Sequence, residues 1–100
     1  NGGAIYFENA ISNSNINATY TNNTAIYGGA NFFNSVSDSN INGTYSHNTA
    51  DRDGGANFFN GDVSNSNIAG TYINNSADMD GGANYFQSSV SNSNITGTYN

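Results

Sequence analysis

The residues best placed to do chemistry are two acidic triplets, Asp51-Arg52-Asp53 and Asp78-Met79-Asp80, each directly before a Gly-Gly pair. If equivalent segments stack, Asp51, Asp53, Asp78 and Asp80 crowd together, and a hard, oxygen-seeking cation such as calcium would relieve their repulsion. The competing reading is a solvated acidic turn, partly neutralised by Arg52. The preceding copy carries Ala25-Ile26-Tyr27 at this place, so the acidity is not intrinsic to the unit. A second pattern is Ser-x-Ser, at Ser12/Ser14, Ser37/Ser39, Ser64/Ser66 and Ser91/Ser93. On stacked strands it would form a two-column hydroxyl lattice able to meet sugar or ice. Its plainer reading is an outward polar strand face or turn satisfied by water.

Catalysis finds little support in the same residues. Acid–base work on a glycosidic bond needs two carboxyl groups ~5–9 Å apart, and Glu8, Asp38 and Asp62 fall at non-equivalent places in different copies. His47 and Arg52 are the candidate bases and lie near unrelated turns. His47 replaces an Asn of the other copies, which points to a turn or surface role. No nucleophile–base constellation stands out, and the chain is expected to be non-enzymatic.

Composition narrows the classes further. One Arg, no Lys and seven carboxylates give a net charge of −6. That argues against nucleic acid and anionic membrane surfaces as partners, since both demand basic patches. No run approaches the ~18 apolar residues of a membrane span. Absence of Cys excludes disulfides and thiolate metal sites. Only 8% of residues are charged, a balance that could suggest disorder, but the 13% aromatic content and a strict repeat argue for order. Sequons at Asn17, Asn22, Asn42, Asn74 and Asn94 match what chance gives at these Asn, Ser and Thr frequencies, so they say little about glycosylation.

The elements that must position these residues are repeats. Gly2-Gly3-Ala4, Gly28-Gly29-Ala30, Gly54-Gly55-Ala56 and Gly81-Gly82-Ala83 begin copies spaced by 26, 26 and 27 residues. Each copy continues with an aromatic pair (Tyr6-Phe7, Phe32-Phe33, Phe58-Phe59, Tyr85-Phe86). An aliphatic position follows (Ile11, Val36, Val63, Val90), then Thr-Tyr ending at Tyr20, Tyr45, Tyr72 and Tyr99, then Ala25, Ala50 or Ala77. Length differences fall only before the aliphatic position and just before Gly-Gly, as expected of turns between strands of constant length. Within segments the period is two: Ile16-x-Ala18-x-Tyr20 recurs as Ile41-x-Gly43-x-Tyr45 and Ile68-x-Gly70-x-Tyr72. That alternation is a strand signal; helical apolar spacing is missing.

These features predict an all-β chain, a right-handed single-stranded parallel β-helix of about four coils with three short strands each. The coils run over 2–27, 28–53, 54–80 and 81–100, one continuous segment. Opening in mid-repeat at Asn1 and closing midway through the next unit at Asn100, it is expected to belong to a longer array. Strands pairing with their equivalents at a rise of ~4.8 Å give a rod about 18 Å long. Identical residues would then form ladders: Phe33 over Phe59, Tyr20 over Tyr45 over Tyr72, and Asn48 over Asn75, with Gly28, Gly29, Gly54 and Gly55 at tight turns. A second Asn row, Asn31, Asn57 and Asn84, is left without an assigned face, although Ile5 in the same row suggests that it can point inward.

The Gly-Gly-Ala-Ile phrase at Gly2–Ile5, with an aromatic-x-x-Asn half such as Tyr20-Thr21-Asn22-Asn23, resembles the repeats of chlamydial polymorphic outer-membrane proteins and related adhesin-like proteins. The likeness covers essentially the whole chain, with Tyr in place of Phe in the second half and Asn usually in place of Ile in the first. It implies a right-handed β-helix on an extracellular surface protein, serving as passenger, stalk or adhesive rod. The expected partners are neighbouring coils or copies along the axis and an unknown surface ligand or receptor. Two further readings stand beside a structural, adhesive rod: a filament subunit stacking head to tail through open coil ends, and a carbohydrate- or ice-binding solenoid using the Ser-x-Ser face. Calcium is the one cofactor the residues suggest.

Overall fold

A computed structural model of the chain describes residues 2–100. It is all-β, a parallel solenoid of about four coils, with every strand paired to its counterpart one coil away, in register except for one shift in the Thr24–Tyr27 pairing. Among the described residues there is no helix long and apolar enough to cross a membrane. Each coil has about three strands, exemplified in the second coil by Asn31–Phe33, Asn40–Ser46 and Thr49–Asp53. A two-residue piece, Val36–Ser37, adds a short fourth ladder between the first and second of these.

Corners follow from residues that tolerate positive φ. Asn13, Asp38, Asn65 and Asn92 turn the chain into the long strand, and Asn22, His47 and Asn74 turn it out again, all with φ between 48° and 58°. Asn, Asp and His are the side chains most at ease in this left-handed region. His47 is therefore an exposed corner residue. Gly28, Gly54 and Gly81 close the coil with φ of 64°, 72° and 66°. The two length differences have distinct fates. One falls in the turn after the aromatic pair. The other lies within a strand, as a register shift between Ala25 and Tyr27 that pairs Tyr27 with Asp53. This second site is a β-bulge where a turn was expected; a bulge absorbs one extra residue and re-aims its neighbours.

The interior holds two columns. One stacks Phe7, Phe33, Phe59 and Phe86 beside Ile11, Val36 and Val63 and beside Ile41 and Ile68. The other stacks Tyr20, Tyr45, Tyr72 and Tyr99 beside Ala30 and Ala56. Ring centroids lie 4.6–4.9 Å apart with nearly parallel planes. Free aromatic pairs prefer offset or edge-to-face contacts, so the coil rise imposes this geometry. Only the second residue of each aromatic pair enters the core. Tyr6, Phe32, Phe58 and Tyr85 form a separate stack on the opposite strand face, with centroids 5.1–5.3 Å apart.

Close approach of coils explains the second Gly of each pair. A Cβ on Gly55 would run into the Gly82 carbonyl oxygen and the Ser76 backbone nitrogen, whereas one on Gly82 meets only the Asn75 carbonyl oxygen at 3.6 Å. Gly55→Ala is thus expected to cost more than about 1 kcal/mol, and Gly82→Ala about 0.5 kcal/mol or less. Denaturant unfolding of both variants checks the contrast; equal losses would contradict the axial contact.

Candidate functional site

The polar ladders decide which side chains are free to meet a ligand. Asn48 shows how thoroughly a corner residue can be engaged. Its backbone N–H and Nδ2 both donate to Asn75 Oδ1, at 3.0 and 2.9 Å, and Nδ2 also donates to the Tyr20 carbonyl at 3.1 Å. Its own Oδ1 accepts from the backbone and side-chain nitrogens of Asn23. The second row is now placed: Asn31 and Asn57 point inward and are fully buried, donating to Asn57 and Asn84 at 3.0 and 2.9 Å. Asn57 is thereby satisfied at both ends, whereas Asn31 Oδ1 and Asn84 Nδ2, at the two ends of the row, are buried without a partner.

The serine face is only half a lattice. Between the two serines sits the positive-φ residue, so the pair does not share one flat strand face. Ser39 and Ser66 are buried. The Oγ of Ser39, Ser66 and Ser93 each accept the backbone N–H of the serine one coil before, at 3.0–3.1 Å. Each also donates to the carbonyl two residues back. The second column is spent on the fold, which matches the plainer reading of these serines as a turn and not a two-column hydroxyl surface. Along this corner runs an open, shallow groove lined by the rows of Asn13, Ser14 and Asn15 and their counterparts. Asn15, Asn40 and Asn67 stitch it lengthwise with side-chain hydrogen bonds of 3.1–3.2 Å.

The first acidic triplet ends the bulged strand Thr49–Asp53, and the second lies in the bend after Ser76–Ala77. Asp51, Asp78 and Asp80 are exposed; Asp53 is buried, and its Oδ1 accepts the Asp80 backbone N–H at 3.1 Å. Among the described residues no three Asp, Glu or His side chains come close enough together to hold a metal ion. Asp51 and Asp53 stand two apart yet one is exposed and the other buried, because the register shift interrupts the strand's alternation there. Glu8, Asp38 and Asp62 are likewise exposed and apart on the chain; Asp62 is held below its usual pKa by hydrogen bonds from Ser88 Oγ and the Ser89 N–H.

What the strand does build is a cleft of about 440 Å³ over the outer aromatic stack. Phe32 and Phe58, 7% and 2% exposed, are its most buried parts. Tyr27, tilted against Phe58 at 4.9 Å, and Tyr85 complete the aromatic lining, while Arg52, Asp53, Asn60 and Gln87 supply its polar groups. The Arg52 guanidinium lies over the Tyr27 ring, 5.4 Å from its centroid, a cation–π contact. Sequence reasoning missed this cleft. Its signal was the length change at Ala25-Ile26-Tyr27, whose Tyr meets the chain's sole Lys/Arg one coil on.

No family model matches the chain, and no match was found among curated proteins or solved structures. The β-solenoid with asparagine ladders thus stands on its own geometry, and the particular likeness to chlamydial surface repeats gains nothing from these comparisons.

Burial also sets how the core answers to pH. Burial pushes the Tyr72 phenol up to about 12 from its ordinary 10.0, against a smaller opposing effect of the Asn84 amide. Tyr45 is raised too, by burial first and then by Tyr72 and Tyr20 beside it. The Tyr20 and Tyr45 hydroxyls are buried without a well-aligned hydrogen bond. A pKa raised in the folded state means the unfolded chain releases its proton first, near pH 10. The associated stability is therefore intact below that pH and is lost as pH climbs towards 12. The fall is expected to be on the order of 2 kcal/mol from Tyr72 alone. Urea unfolding across pH 8–12 checks it; Tyr45→Phe/Tyr72→Phe should flatten the fall, and an unchanged fall would contradict the assignment.

Proposed function

We propose that this chain is a non-catalytic, rigid rod segment of an extracellular surface protein or appendage, with an adhesive role. The observation that carries the reading is the unbroken axial stacking. Backbone, amide, hydroxyl and aromatic rows all continue from coil to coil, which makes the assembly stiff along one direction and extensible by repetition. The resemblance of the Gly-Gly-Ala and aromatic-x-x-Asn phrases to surface-adhesin repeats supports an extracellular setting and, as the finer form of the proposal, the chlamydial type of repeat.

Head-to-tail stacking of copies is a second reading, since the rows that join coil to coil within the chain, Val36 to Val63 and Tyr45 to Tyr72 among them, would join copies in the same way.

Electron microscopy of native material separates the two. Discrete rods attached to a larger body are the expected result. Filaments built from this chain, with an axial repeat at ~4.8 Å or its multiples, would replace the rod by a structural polymer.

A further inference from the structure

The cleft beneath the bulged strand combines an aromatic lining with polar groups of several kinds, and neither the ladders nor the rod require it. We propose that it is a binding site for a neutral pyranose sugar. The inference deepens the adhesive part of the proposed function by naming a ligand class, and rests on that part alone.

Volume comes first. About 440 Å³ falls within the ~300–1,000 Å³ range of small-ligand sites. Chemistry of the lining comes next. Phe32 and Phe58 lie deepest, Tyr27 borders the cleft with one ring face under Arg52, and the half-buried Tyr85 is the ring that offers apolar surface to the C–H face of a sugar. Around them the polar groups are mixed. Asp53 spends Oδ1 on the Asp80 N–H and keeps its other oxygen as an acceptor. Arg52 only donates, and the amides of Asn60 and Gln87 do both. Such a set suits hydroxyl groups, each of which is donor and acceptor at once.

Charge then selects the ligand. Of these acids only Asp53 lines the cleft, beside Arg52, and the chain's net charge of −6 works against an anionic sugar. A cationic ligand would compete with Arg52, which already occupies the Tyr27 ring face. A neutral ring remains. The bulge is what assembles the site: the extra residue of the second coil sets Arg52 over Tyr27 and Asp53 opposite it.

The test is a titration of the 100-residue chain, followed by NMR, with three probes: neutral methyl hexosides, a methyl uronide and glucosamine. Saturable shifts at Tyr27, Tyr85 and Gln87 with neutral hexosides alone are expected. Gln87→Ala, an exposed substitution, should weaken them roughly tenfold, the loss of one hydrogen bond to a desolvated partner, at unchanged thermal stability. Asp53→Asn should weaken binding too. Because Asp53 is buried and could matter to folding, Gln87→Ala is the deciding variant. No saturable shift, stronger binding of the uronide or of glucosamine, shifts confined to the Ser12, Ser37 and Ser64 face, or binding untouched by Gln87→Ala would each overturn the assignment. Any of these results with rods still seen by microscopy would leave the structural role standing.

Discussion

Each residue in this protein finds its partner in its own counterpart one coil away, and that self-pairing is the constraint from which the other features follow. Parallel strands a coil apart are hydrogen-bonded evenly along their length, so a side chain that suits the interior once must suit it against a copy of itself. Phe over Phe and Tyr over Tyr satisfy that demand with ring stacking. Asn does so with its amide, donating to one neighbour and accepting from the other. A charged side chain cannot, since like charges would face each other at the coil spacing. The scarcity of charge in the sequence and its confinement to the surface and to the bulged strand follow from this rule; Asp53 is the one acid among the described residues that is buried.

Corners impose the second demand, for backbone that turns sharply without losing its hydrogen bonds. Residues at positive φ make the turn, and the residue after them pays back the broken ladder. Ser39 lends its Oγ to the N–H of Ser14 and Asn48 lends Oδ1 to that of Asn23. The Asn-Ser-Asn and Asn-Asn phrases are therefore pairs of roles, one residue that tolerates the turn and one that satisfies the backbone beyond it. Polar composition here is a consequence of order, not a sign of disorder.

These same rules explain what the sequence disclosed. The period, the parallel pairing, the inward Ile and Tyr rows and the corner role of His47 were all legible, because self-pairing writes each structural position several times over. The orientation of Asn31, Asn57 and Asn84 was not, since an Asn row can satisfy itself on either face; Ile5 in that row was the one clue. The sequence left the Ser-x-Ser rows open between a hydroxyl lattice and a polar turn, and the positive φ of Asn13 and Asp38, which breaks the strand between the serines, favours the turn. The cleft stayed hidden for a related reason: Tyr27, Arg52 and Asp53 meet through a register shift, and a repeat alignment smooths over the very residue that creates it. The proposed sugar site lies where the repetition fails, with Arg52 and Asp53 set among otherwise uniform ladders.

Axial self-pairing through the corner asparagines is the account's central claim, and native-state hydrogen exchange reads it most directly. The backbone amide of Asn48, donated to a side chain in the next coil, should exchange as slowly as those of Ala56 and Asn57, which are bonded to the Ala83 carbonyl between ladders, with all three opening only in global unfolding. Exchange of the Asn48 amide at the rate of an exposed turn, while Ala56 and Asn57 stay protected, would contradict it.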